Sequence, residues 1–135
     1  MYEMKSEYYT GIESIDQEHT RLFELAQETQ DLLTDTLQYD KTEKLNSLIS
    51  ELIDYTKTHF SHEEAFMRSI QYAGIEGHMA LHRKFEDNLM QFDPDCLEDV
   101  ENQNEVVEKL LGFLITWLID HIQRVDMVYA NSARQ

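Results

Sequence analysis

At 135 residues the chain has the length of one domain and enough of it to bury a core of its own. Its 27 acidic and 11 basic side chains give a formal net charge of -16, which repels phosphate backbones and anionic lipid, so neither a nucleic-acid partner nor membrane insertion is expected. The single cysteine, Cys96, excludes an internal disulfide and reads as a bystander in a reducing, cytoplasmic setting. The opening from Met1 to Ser14 is polar, with no basic stretch followed by an apolar one, so secretion is not expected, and the longest apolar run, Leu110 to Ile119, is about half of the roughly 20 residues a membrane span needs.

One proline and four glycines interrupt the chain, and apart from Gly112 they fall where helices should end, which argues for a few long helices and against a sheet. The expected organisation is a single domain, 1–135, with an N-terminal arm over 1–15 and a helical bundle over 16–130. Ser14 with Gln17 has capping-box spacing and Asp16 is a rival N-cap, which starts a first helix near Asp16 and carries it to about Leu37. Its inward stripe would be His19, Leu22, Ala26, Leu33 and Leu37. Asp40 with Glu43 opens a second helix to about Ile70, with Leu45, Leu48, Leu52, Thr56, His59, Glu63, Phe66 and Ile70 on one face.

Gly74 and Gly77 mark the turn to a third helix that carries His78, Leu81, His82, Phe85 and Leu89 inward. Asp93 to Asn104, with Pro94, reads as the longest loop. A fourth helix, from about Asn104 to Ala130, aligns Val107, Leu110, Leu114, Leu118, His121, Ile122 and Val125. Short links between three of the four elements predict an all-α, up-down-up-down four-helix bundle.

Five of the six histidines fall on these inward faces with two carboxylates: His19, then His59 with Glu63, then His78 with His82, then His121 with Asp126. Residues three or four apart project from one side of a helix, so His59 and Glu63, and likewise His78 and His82, can grip one centre. His121 and Asp126 are five apart, roughly 140° around a regular helix, so Asp126 must reach around or the helix must distort. Imidazole with carboxylate suits iron, zinc, copper or manganese. Seven such groups are too many for one ion and imply two ions sharing carboxylates. Burying them without metal would leave several polar groups unsatisfied. His62, three residues after His59, reads as an edge or surface residue, and Glu64 as a solvated neighbour of Glu63.

The run GIESIDQEH, the HFSHEE segment, HMALH and WLIDHIQRVD occur in an order that resembles the hemerythrin family, over about residues 11 to 126. That resemblance implies a non-haem di-iron centre. His78, His82 and His121 would bind one iron, His19 and His59 the other, with Glu63 and Asp126 bridging. Together with an oxo or hydroxo bridge these ligands fill two octahedral irons save for one position, on the two-histidine iron, where dioxygen would bind reversibly. Phe60, Trp117, Leu118 and Ile122 flank ligands in sequence and are the candidates to line a dry pocket around it. The family's N-terminal tryptophan is replaced here by Tyr2, Met4, Tyr8 and Tyr9.

The implied roles are dioxygen carriage or storage, or oxygen and redox sensing as a domain of a larger bacterial signalling protein. The alternative is a di-iron oxidase or a peroxide- or nitric-oxide-handling enzyme. A histidine-rich set with only two carboxylates, and no evident catalytic residue, favours binding over turnover. Ile115 and Ile119 lie on the side of the fourth helix away from His121, where a monomeric bundle should be polar. That face is expected to meet another copy or a fused domain, unless a bulky N-terminal arm covers it.

Overall fold

A computed structural model describes residues 2–37, 40–92 and 103–133. Every regular element among them is helical: α1 (Glu13–Thr34), α2 (Thr42–Ser69), α3 (Ile75–Leu89), α4 (Gln103–His121) and α5 (Met127–Ala133). A π-helical turn, Ile122–Asp126, joins α4 to α5, so these three segments form one interrupted fourth helix. α1 packs on α2 and α4, and α2 packs on α3. Phe85 of α3 closes the ring against Trp117 and Phe113 of α4, with centroids 4.1 and 5.2 Å away. The four-helix bundle is the architecture that the periodicity predicts. No helix of the described residues is long and apolar enough to cross a membrane.

Several local expectations need correction. α1 begins at Glu13, its N-cap is Ile12, and no side-chain cap bond forms there, so the Ser14/Gln17 capping box is not used. The Asp16 carboxylate instead turns back on the arm. Its Oδ1 accepts the Thr10 amide and hydroxyl, both at 2.8 Å, and Oδ2 accepts the Gly11 amide at 3.1 Å. Gly11 sits at φ 88°, a left-handed conformation that glycine adopts without a steric penalty. Leu37 lies past the end of α1 and is 96% exposed, because the helix stops at Thr34. α2 begins at Thr42 with Lys41 as its N-cap and no side-chain cap bond, so the Asp40/Glu43 capping box is not used either, although Asp40 Oδ1 accepts the Thr42 amide at 3.0 Å.

α2 ends without using the glycines. Gln71 takes the left-handed position at φ 54°, the Gln71 amide reaches Arg68 O and the Tyr72 amide reaches Met67 O, while Gly77 lies inside α3. Leu81 is 40% exposed rather than inward, and Val125 is only half-buried. Pro94, Cys96 and the expected loop from Asp93 lie outside the described residues, except for its end at Gln103 and Asn104, which already belong to α4.

Among the described residues the inward side chains form two apolar bodies. The larger one joins Leu22, Phe23 and Ala26 of α1, Leu45, Leu52 and Phe60 of α2, Phe85 and Leu89 of α3, and Leu110, Leu114 and Leu118 of α4. In the arm, Tyr8 is buried and stacks on Phe23 at 5.3 Å, and Tyr2 and Met4 pack against the same body, as do half-buried Ile115 and Ile119. The smaller body, Met67, Tyr129 and Ala130, lies towards the other end.

Candidate metal centre

His19, His59, Glu63, His78, His82, His121 and Asp126 are all buried, none more than 3% exposed. They come together in two groups. Donor atoms of His78, His82, His121 and Asp126 lie within 4.8 Å of one another, and so do those of His19, His59 and Glu63. The carboxylates connect the groups. Asp126 Oδ1 lies 3.0 Å from His78 Nε2 and 3.1 Å from His121 Nε2, while its Oδ2 lies 3.1 Å from His19 Nε2. Glu63 Oε1 is 2.5 Å from His59 Nε2 and 3.9 Å from His19 Nε2, and its Oε2 is 3.8 Å from His78 Nε2.

The five-residue step from His121 to Asp126 is accommodated by the π turn, which widens the helix and brings positions five apart towards one side. The sequence offers distortion and a long reach as alternatives; the helix distorts.

The arrangement is unsatisfied as a purely polar cluster. Both His19 nitrogens, Glu63 Oε1, His78 Nδ1, His82 Nε2 and both Asp126 oxygens are buried without a hydrogen-bond partner. Several of these atoms approach one another within about 3 Å, but at angles that leave no hydrogen bond, and His78 and His121 face each other Nε2 to Nε2 at 3.1 Å. Each unpaired buried polar atom costs about 1–3 kcal/mol. Inward lone pairs on imidazole and carboxylate are what a divalent or trivalent cation satisfies, so the residues present fit a metal centre.

Without metal the electrostatics pull neighbouring imidazoles apart. Burial opposes charge on His59, but the Glu63 carboxylate 2.5 Å away and the hydrogen bond with Glu18 prevail and raise its pKa to about 10. Burial dominates at His82 and, with His78 and His121 nearby, lowers it to about 3. Asp126 is also penalised by burial, yet His121, His19 and His78 hold it well below the usual carboxylate range.

Three further residues hold this cluster and do not stand out in the sequence. The Tyr129 hydroxyl donates to Glu63 Oε2 at 2.9 Å. Glu18 Oε1 meets His59 Nδ1 at 2.8 Å, and the other Glu18 oxygen meets Nδ1 of exposed His62. Glu64 is buried rather than solvated: its Oε2 takes His82 Nδ1 at 2.9 Å and the Arg83 guanidinium at 2.7 Å. Among the flanking apolar residues, Phe60 stacks on His82 at 3.9 Å and 6°, and half-buried Trp117 stacks on His121 at 4.3 Å and 16°. Leu118 and Ile122 belong to the larger apolar body.

Fold and cluster together define a metal-binding four-helix bundle with a histidine-rich site. Residues 10–132 match the sequence profile described as "Hemerythrin HHE cation binding domain". A bacteriohemerythrin of Clostridium acetobutylicum is 33% identical over 132 residues, which span 97% of this chain and all of that protein. Another, of Pseudomonas paraeruginosa, is 30% identical over 93% of this chain and 76% of its own length, and one of Campylobacter jejuni is 29% identical over 83% and 80%. The chain belongs to the hemerythrin family.

Proposed function

We propose that this chain, read as one hemerythrin-like domain over 1–135, is a non-haem di-iron protein that binds dioxygen reversibly and serves as a carrier, a store or a sensing domain. The observation that carries this reading is the buried set of five imidazoles and two carboxylates, in two groups joined through Glu63 and Asp126. His78, His82 and His121 would hold one iron and His19 and His59 the other, with Glu63 and Asp126 shared. When bound, the iron pair supplies electrons that dioxygen borrows and returns.

The chain's own residues account for the remaining requirements. Tyr129 donates to Glu63, and burial, with Glu63 and Asp126 close by, raises its pKa, so the phenol keeps its proton and remains a donor. Phe60 and Trp117 cover the outer faces of His82 and His121, and with Leu118 and Ile122 they would line a pocket that excludes water and anions. Removing the Leu118 side chain should open a path for solvent, so Leu118→Ala keeps its iron while the oxidised form accumulates faster. An unchanged autoxidation rate removes Leu118 from the pocket.

Binding is preferred to turnover because histidine outnumbers carboxylate in the set. The test is an optical spectrum of anaerobically reduced, iron-loaded protein, before air, after air and after removing oxygen again. Bands that appear and then reverse support the reading. Steady oxidation of added iron, or steady reduction of peroxide or nitric oxide, points to the enzyme alternative. The acidic, single-cysteine composition supports a cytoplasmic setting.

The same proposal extends to the outer face of α4. Half-buried Ile115 and Ile119 would meet another copy or a fused domain. Changing both to Glu should abolish self-association and leave the site spectrum intact; a monomer both before and after contradicts it.

A further inference from the structure

Two carboxylates outside the seven inward groups hold the cluster from behind, and they do so in parallel. Glu18 joins His59 Nδ1 to His62, and Glu64 joins His82 Nδ1 to Arg83. In each case the carboxylate side chain is mostly covered, 18% and 7% exposed, while the outer anchor is open, His62 at 57% and Arg83 at 51%. The contrast lies with the other imidazoles. His19 has neither ring nitrogen partnered, and His78 Nδ1 is also unpartnered. In the group His19, His59 and Glu63, therefore, only one imidazole is held from outside, and Glu18 holds it.

Such a contact fixes two things. An acceptor at Nδ1 selects the tautomer with the proton on that nitrogen, leaving the Nε2 lone pair directed inward, and it sets the rotation of the ring. Packing alone leaves both open, because an imidazole fills the same volume after a ring flip. With only two imidazoles in its group, misdirecting His59 removes half of the nitrogen donors, whereas misdirecting His82 leaves two of three.

We propose that Glu18, anchored by His62, is the positioning residue of the two-histidine half-site, and that retention of a metal ion in that half depends on it, while the other half relies on Glu64 and Arg83. The inference rests on the ligand assignment above. Loss of the Glu18 contact should lower metal affinity about 10–100-fold in one half only.

The experiment measures iron per chain at equilibrium with a graded competing chelator under anaerobic conditions, with a thermal melt of the metal-free protein as the control for folding. Wild type should hold two ions. Glu18→Gln should fall to one at a chelator concentration about ten times lower than wild type tolerates. The ion it keeps should survive the further change His19→Ala and be lost on His121→Ala. His62→Ala should shift the same ion in the same direction by less, and His62→Arg, which restores a donor to Glu18, should recover part of the shift. His62 is exposed, so this pair keeps the test decisive even if Glu18→Gln folds poorly. Two ions held at wild-type chelator tolerance in both Glu18→Gln and His62→Ala would overturn the proposal, and so would loss of both ions together. Fewer than two ions in wild type would instead overturn the ligand assignment, and the inference with it.

Discussion

Tyr129, Glu64 and Glu18 show why the surroundings of this cluster are harder to read than its centre. The seven inward groups are legible because histidine and carboxylate recur on apolar faces at helical spacing, a pattern that composition alone rarely produces. Their supports carry no such mark: Glu64 and Glu18 stand beside inward residues in chains of charged neighbours, and their partners lie 18 and 41 positions away on other helices. Tyr129 is 66 positions from Glu63 and looks like ordinary core. Removing its hydroxyl should leave Glu63 Oε2 without its donor. Tyr129→Phe is expected to destabilise the metal-free protein by about 1–3 kcal/mol in urea unfolding; no change would show that the contact contributes nothing. His82 offers a test by titration. With its pKa lowered from 6.5 to about 3, the metal-free folded state keeps His82 neutral while the unfolded chain protonates it. The stability linked to its neutral form is present above pH 6.5 and is lost as pH falls from there towards 3. Imidazole NMR of the metal-free protein should find His82 neutral at pH 5, and an ordinary midpoint near 6.5 would refute the burial argument.

At the level of elements, helix number and order follow from periodicity and breaker positions, whereas ends and irregularities do not. The Ser14/Gln17 spacing predicts a cap, but Asp16 finds stronger partners in the Thr10 and Gly11 amides, so α1 extends back to Glu13. The glycine pair predicts where α2 turns into α3, yet the left-handed residue is Gln71. Since glycine adopts that conformation without a side-chain clash, Gln71→Gly should stabilise the protein by up to about 1 kcal/mol, read as a higher Tm; a lower Tm would mean that the Gln71 side chain contributes more than its strain. The π turn is the most consequential irregularity. Inserting an alanine beside Gln123, which is exposed, makes the turn one residue too long and should carry Asp126 about a further 100° around the axis, away from His121. Helicity by circular dichroism should hardly change, while bound metal should fall below two ions per chain; full occupancy would show that the turn is not needed to deliver Asp126.

Taken as a whole, the molecule places a polar layer between two apolar bodies, the larger around Phe23, Phe60 and Leu110 and the smaller around Met67 and Tyr129. All four helices of the bundle contribute to that layer, so ions held there fasten every helix to the others. Chelating them should expose the unpaired atoms to one another and lower stability by about 3 kcal/mol or more, a fall in Tm of roughly 10 °C. A Tm unaffected by chelation would mean that the cluster is folded around something other than metal. Everything above depends on these seven side chains holding two ions. The most direct measurement is an anomalous difference map at the iron absorption edge from crystals of the iron-loaded protein. Two peaks are expected, one among His78, His82 and His121, the other beside His19 and His59, with both against Glu63 and Asp126. A single peak, or a peak at His62 instead, would contradict this.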